Sequence, residues 1–217
     1  MVANSESLAE RFVPPPAPFL EGRWRVPRFT RRDVETLVRH GIIPEDASTE
    51  LLSGLVVLKD RAASGEDSLT IGNDHRKSVE RLSDLRSRIS NSRRHVQSQQ
   101  PLVCSETHVP EPDFAVIRGA LEDYDDLPNA SDAWCVVEVA DASYERDAGE
   151  KLAGYARAGV AQYVILNLRN RTAEVYSNPD ASAGTYPPPQ VVAETALLAL
   201  RVGDGEFFTI SPAEVLP

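Results

Sequence analysis

The apolar positions of the chain change period several times, and each change marks an element. Val34, Leu37 and Val38 recur at helical spacing behind Thr30, which forms a capping-box pattern with Asp33, and Gly41 follows as a stop. Residues 50–58 then read as a strand pair turning at Ser53-Gly54. From 74 to 94, Val79, Leu82, Leu85 and Ile89 return to helical spacing with arginines between them, predicting one amphipathic helix of about five turns. Residues 95–104, 113–118 and 134–140 are strand candidates, and the acidic stretch 121–130 reads as a surface loop. Residues 145–158 are helical in composition and end at Gly159. The segments 162–168 and Thr172–Ser177 alternate around Arg169-Asn170 as a hairpin. A proline-rich loop at 187–189 leads into short strands near 196–202 and 206–210.

No internal repeat is visible, and 217 residues are enough for one well-cored domain. The order of elements predicts a single α/β domain over 28–217. Residues 1–27, with Pro14-Pro15-Pro16-Ala17-Pro18 and no hydrophobic period, are expected to form an extended, flexible arm.

Two positions break the apolar pattern. Asp113 opens one strand candidate after Pro112, and Glu138 lies inside another, Val136-Val137-Glu138-Val139. A carboxylate in a buried strand is costly unless it is paired or bound to a cation. Two readings of Glu138 stay open, because alternate residues of a strand face opposite sides and one side can be water. Asp147 and Lys151, four apart on the following helix, share a face with Tyr155; on an exposed helix such a pair contributes only about 0.2–0.5 kcal/mol.

Charge modifies this picture. The net charge of −10 argues against tight, non-specific nucleic-acid binding. Its distribution leaves room for a local groove: residues 1–100 carry 16 Lys+Arg against 14 Asp+Glu, whereas 101–217 carry 7 against 19. The basic residues cluster at 23–32 and 76–94, a pattern that a solvated helix face also produces. No apolar run approaches the ~20 residues of a membrane span, and residues 1–11 do not read as a signal peptide. Cys104 and Cys135 sit in apolar surroundings, so reduced thiols in a cytoplasmic protein are expected, and Trp134 is expected in the core beside Cys135. Neither a nucleophile elbow nor zinc spacing nor a phosphate-cradling glycine loop is present.

The ordered set Glu50-Leu51-Leu52-Ser53-Gly54, His75 at a helix start, Pro112-Asp113, Val137-Glu138-Val139, Asp147-x-x-x-Lys151-x-x-x-Tyr155, Ala158-Gly159-Val160 and Tyr163 resembles the Uma-type putative restriction endonucleases, within the PD-(D/E)xK nuclease superfamily. The similarity runs from about residue 29 to about residue 177. It implies a restriction-endonuclease-like fold, a mixed β-sheet flanked by helices. It also implies a Mg²⁺- or Mn²⁺-dependent endonuclease that hydrolyses phosphodiester bonds in DNA. Asp113 and Glu138 would be the catalytic acids and metal ligands, with Lys151 as the catalytic lysine and Glu50, Asp147 and His75 in support. In the superfamily pattern a lysine follows two residues after the glutamate. Here that position is Ala140, and the closer family supplies the lysine from the next helix, at Lys151.

Lys151 would orient or deprotonate the attacking water, or stabilise developing charge; these roles stay open. Lys151→Ala is expected to abolish cleavage while leaving folding intact. Enzymes of this fold often act as dimers, and the hairpin over 162–177 is the element expected to pair in a homodimer. The competing function is a nuclease-like fold kept as a non-catalytic binding or oligomerisation module, with no metal dependence.

Overall fold

The computed structural model describes residues 26–45, 47–58 and 72–217. The arm expected over 1–27 lies outside these but for its last two residues. Helix α1 (Arg31–Arg39) starts as its sequence dictates: the Thr30 side chain accepts from the Asp33 amide, and the Asp33 carboxylate accepts from the Thr30 amide at 2.8 Å. Strands β1 (Thr49–Leu52) and β2 (Leu55–Leu58) form a separate two-stranded hairpin. Its turn places both Ser53 (φ 47) and Gly54 (φ 78) in the left-handed region, the mirror-image turn that suits strand twist and that glycine tolerates.

The single long helix expected over 74–94 is instead α2 (Asn73–Asp84), one further turn α3 (Arg86–Ile89), and the first residue of β3 (Arg94–Gln97). Ser90 is already extended (ψ 141) and Asn91 bridges back to Arg94, so the Ser-Asn-Ser run ends the helix by turn chemistry. The periodic residues are nonetheless where expected: Val79, Leu82, Leu85 and Ile89 are all buried in one core. The strand expected over 95–104 stops at Gln97, because Gln99 turns with φ 50 and Pro101 cannot donate to a ladder.

The main sheet has six strands in the order β3-β4-β5-β6-β7-β8, with β4 (Phe114–Arg118), β5 (Ala133–Ala140), β6 (Gln162–Asn167), β7 (Thr172–Ser177) and β8 (Gln190–Ala193). Only β5 and β6 run parallel. Parallel neighbours need a long crossover, here supplied by the helical segment α4 (Tyr144–Arg146), a π turn (Asp147–Lys151) and α5 (Leu152–Arg157). β8, four residues just after the prolines, was not legible as a strand; it is an edge strand with only Val192 buried, so it has no apolar pattern to read. The hairpin β9 (Leu198–Arg201) and β10 (Phe207–Ile210) and the terminal helix α6 (Pro212–Val215) complete the chain.

Each face of the sheet carries its own core. On one, α2, α3, β9, β10 and α6 cover Phe114, Val116, Val137, Val139, Val164 and Leu166. On the other, Tyr155 of α5 covers Ala115, Val136, Tyr163, Ile165 and Tyr176. With both faces covered, β5 and β6 are buried almost throughout. The hairpin expected over 162–177 lies inside the sheet: β6 is the fourth strand of six, and β7 is paired by β8. Trp134 is only half-buried, with the Arg118 guanidinium 4.2 Å from its ring centre. Cys135 is buried and Cys104 half-buried, both are free, and burial pushes both thiols up. Among the described residues no helix is long and apolar enough to cross a membrane.

Candidate active site

Strand parity decides which way the two acids point. Asp113 has the parity of Ala115 and Ile117, and Glu138 that of Val136 and Ala140, so both face the side covered by α5. β4 and β5 pair with Phe114 opposite Val137, which brings Asp113 beside Glu138. Glu138 therefore does not face water. It is 2% exposed, as are Glu50, Asp147 and Lys151, with Asp113 at 6%. Ionisable side chains are this deeply buried only where they satisfy one another.

They do so around Lys151. Its Nζ lies 2.8 Å from Glu50 Oε1, 3.0 Å from Glu138 Oε1 and 3.8 Å from Asp147 Oδ1. Tyr155 donates its hydroxyl to the same Glu138 Oε1 at 2.9 Å. Asp113 Oδ2 accepts the Val139 amide at 2.9 Å and lies 3.2 Å from His75 Nε2, on the first turn of α2. The structure thus brings all six expected residues, Glu50, His75, Asp113, Glu138, Asp147 and Lys151, into one cluster. Glu50, expected as an outer support, touches the lysine directly, and its Oε1 also accepts the Glu111 amide at 2.7 Å.

Glu50 reaches the cluster from outside the main sheet, on β1, and a small set of contacts docks that hairpin. Leu51 bridges to Val109, the Gly54 amide donates to Thr107, and Ser53 bonds both Glu150 and His108. His108 was not a candidate from the sequence, where nothing sets it apart from any loop histidine. Its Nδ1 accepts the Ser53 amide at 3.2 Å, and its ring packs against Gly154 of α5. Burial pushes its pKa below the ordinary histidine value.

The electrostatics follow from four buried carboxyls facing one buried ammonium. Burial opposes charge on Lys151, yet Glu138, Glu50 and Asp147 outweigh it and push its pKa above the ordinary lysine value. Burial and the neighbouring acids Asp147, Asp113 and Glu50 push Glu138 up to about 8 against the pull of Lys151. Asp113 goes the other way: burial opposes its ionisation, but the His75 contact, the Val139 amide and Lys151 hold it down at about 2.

Linkage gives these shifts a sign. Glu138 holds its proton more tightly folded than unfolded, so its contribution to stability falls as pH rises from about 4.5 to about 8. Asp113, depressed, contributes stability that is lost as pH falls from about 3.8 towards 2. Asp147, also raised, adds to the Glu138 effect, and His108, depressed, opposes it. Urea denaturation of wild type and Glu138→Gln at about pH 5 and about pH 8 is expected to show that the variant lacks the part of the stability change that comes from Glu138. The same pH dependence in both proteins would mean that Glu138 ionises normally in the folded protein.

Among the described residues, no three His, Cys, Asp or Glu side chains converge closely enough to enclose a cation by themselves. The donor set still suits a hard cation. Mg²⁺ is commonly held by one or two carboxylates, keeping its other positions for water and phosphate. Asp113 and Glu138 on adjacent strands supply two, and Asp147 Oδ1 is buried without a hydrogen-bond partner.

Comparison with known proteins agrees with this architecture. A crystal structure of a putative nuclease belonging to DUF820, from Anabaena variabilis, matches with a TM-score of 0.60 over 82% of this chain and 96% of that one. The identity is 12%, so the likeness is one of fold, a restriction-endonuclease-like mixed sheet with flanking helices. No curated protein matches. The family model Uma2, described as putative restriction endonuclease, matches residues 67–207, which include every residue of the cluster except Glu50. The chain belongs to the Uma2 family of putative restriction endonucleases.

Proposed function

We propose that the protein is a divalent-metal-dependent endonuclease that hydrolyses phosphodiester bonds in DNA. The observation that carries this reading is the pairing of β4 with β5, which sets Asp113 beside Glu138 with the Lys151 ammonium 3.0 Å from the latter. Asp113 and Glu138 hold Mg²⁺ or Mn²⁺, with Asp147 close behind. When bound, such an ion supplies Lewis acidity to the phosphoryl group.

The protein's own residues do the rest. Lys151, pushed above the ordinary lysine value by the surrounding acids, is placed to donate a hydrogen bond to the attacking water or to the developing charge. Glu50 and Asp147 hold that ammonium in place, and Tyr155 fixes Glu138. His75, a quarter exposed, stands at the rim against Asp113 and meets the substrate phosphate. The arginines of α2 and α3 contribute less to a DNA groove than their number suggests. Arg81 is tied to the Leu216 carbonyl and Arg88 to Glu214, both in the C-terminal segment.

The deep burial of the cluster favours a second reading, in which the same residues form a self-satisfied core of an inactive binding module. Calorimetric titration of Mn²⁺ separates the two. The wild type is expected to bind, and the folded Asp113→Asn/Glu138→Gln double variant is expected not to. Equal heats from both proteins would sink the metal site and leave the module.

A further inference from the structure

The helical segment that carries Asp147 and Lys151 is not a uniform α-helix. Asp147–Lys151 form a π turn in which the Leu152 amide reaches back to the Asp147 carbonyl. At about 100° per residue, an unbroken α-helix would place Tyr155 about 80° around from Asp147. A π turn absorbs one extra residue, and the seven remaining α steps bring Tyr155 to within about 20° of it. All three side chains consequently face the sheet and are buried, and Lys151 and Tyr155 both donate to one atom, Glu138 Oε1.

Isolated π turns are rare and relax to α unless something holds them. Packing on Gly149, inside the turn, does not: a Cβ added there would meet nothing within 4 Å. Ser143 gives the segment no side-chain cap and bonds the Asp147 carboxyl instead. One tyrosine hydroxyl bonds the turn itself, and a second ties the helix that leads into it to the sheet. Tyr163, wholly buried on β6, donates to the Asp147 carbonyl at 2.9 Å. Tyr144, at the start of α4, donates to Glu174 Oε2 at 3.0 Å. Glu174 is itself fixed on β7 by Tyr176 at 3.0 Å and Asn167 at 3.2 Å.

We propose that Tyr163 and Tyr144 are positioning residues whose hydroxyls hold the π turn and thereby keep Lys151 and Tyr155 converged on Glu138. Their effect on cleavage rests on the nuclease reading above; their effect on the geometry of Lys151 does not. The chain has three lysines, Lys59, Lys77 and Lys151, and Lys151 is buried where Lys77 is not. A slowly exchanging ammonium signal in ¹H–¹⁵N spectra of the full chain that persists in Lys59→Arg and Lys77→Arg therefore reports on Lys151.

Tyr163→Phe and Tyr144→Phe, confirmed as folded by circular dichroism, are expected to shift that signal, and the double variant to shift it further. On plasmid DNA with Mn²⁺, each is expected to lose about ten- to a hundredfold in kcat at unchanged KM, as small misplacements of a reacting group do. Tyr124→Phe, whose hydroxyl bonds the Arg118 carbonyl at the other end of β4, is the control and should change neither. Unshifted ammonium signals in the folded variants would overturn the proposal. A shifted signal in a protein that cuts no DNA would uphold the positioning role and reject the nuclease. If Tyr163→Phe does not fold, Tyr144→Phe decides by the same two readouts, since Tyr144 is only half-buried.

Discussion

Lys151→Met is expected to lower the free energy of unfolding by about 3–5 kcal/mol at neutral pH, the cost of removing one partner from a buried ionic cluster. It differs from the sequence-based expectation that substituting the lysine leaves folding intact. The ammonium lies within 4 Å of three acids that are each 2% exposed, so its loss leaves buried acids without their partner where water cannot reach. The stranded carboxyls recover part of the cost by taking up protons, so the deficit should shrink as pH falls towards about 5. Urea denaturation of wild type and variant at both pH values measures this. A variant as stable as wild type at neutral pH would mean that the acids are hydrated in solution. Loss of cleavage on replacing Lys151 is consequently no proof of a chemical role unless the variant is shown to be folded.

Gly154→Ala is the second large effect expected. A Cβ at this position would fall 2.6 Å from both Cδ2 and Cε1 of His108 and closer still to Nε2. The ring is buried and held through Nδ1 by the Ser53 amide, so it cannot swing aside as the end of a flexible chain would. Overpacking of this kind costs about 1–3 kcal/mol. The damage also travels, because Ser53 is the turn of the hairpin that delivers Glu50 to Lys151. A depressed melting temperature and weakened Mn²⁺ binding are therefore expected together. Adding His108→Ala should restore part of the stability, the non-additivity that marks direct contact. An unchanged melting temperature in the single variant would show that His108 is free to move.

Much of this site could be read from the chain. Asp113 and Glu138 stood out because a carboxylate in an apolar strand needs a reason, and Asp147, Lys151 and Tyr155 because helical spacing groups them. The capping box at Thr30 and the turn at Ser53-Gly54 were legible because their chemistry is local. Where the reading failed, the deciding contact was distant. Helical periodicity continued through Leu85 and Ile89, but Ser90 to Ser92 ended the helix so that Arg94 could pair with Arg118 of β4. The hairpin over 162–177 was legible, but not that β5 and β8 flank it inside a six-stranded sheet.

Residue types, their spacing and the local turn and cap chemistry were determined by the sequence alone, and the family resemblance that they carry implied the fold class and the six candidate residues. Only the tertiary structure decided that Glu50 touches Lys151, that His108 seats on Gly154, and that a π turn brings Tyr155 into line with Asp147. These depend on Glu50 meeting Lys151, His108 meeting Gly154 and Tyr163 meeting the Asp147 carbonyl, all distant in sequence, in a medium that excludes water. There an ion pair exists only where the fold places both partners, and no periodicity along the chain encodes that meeting.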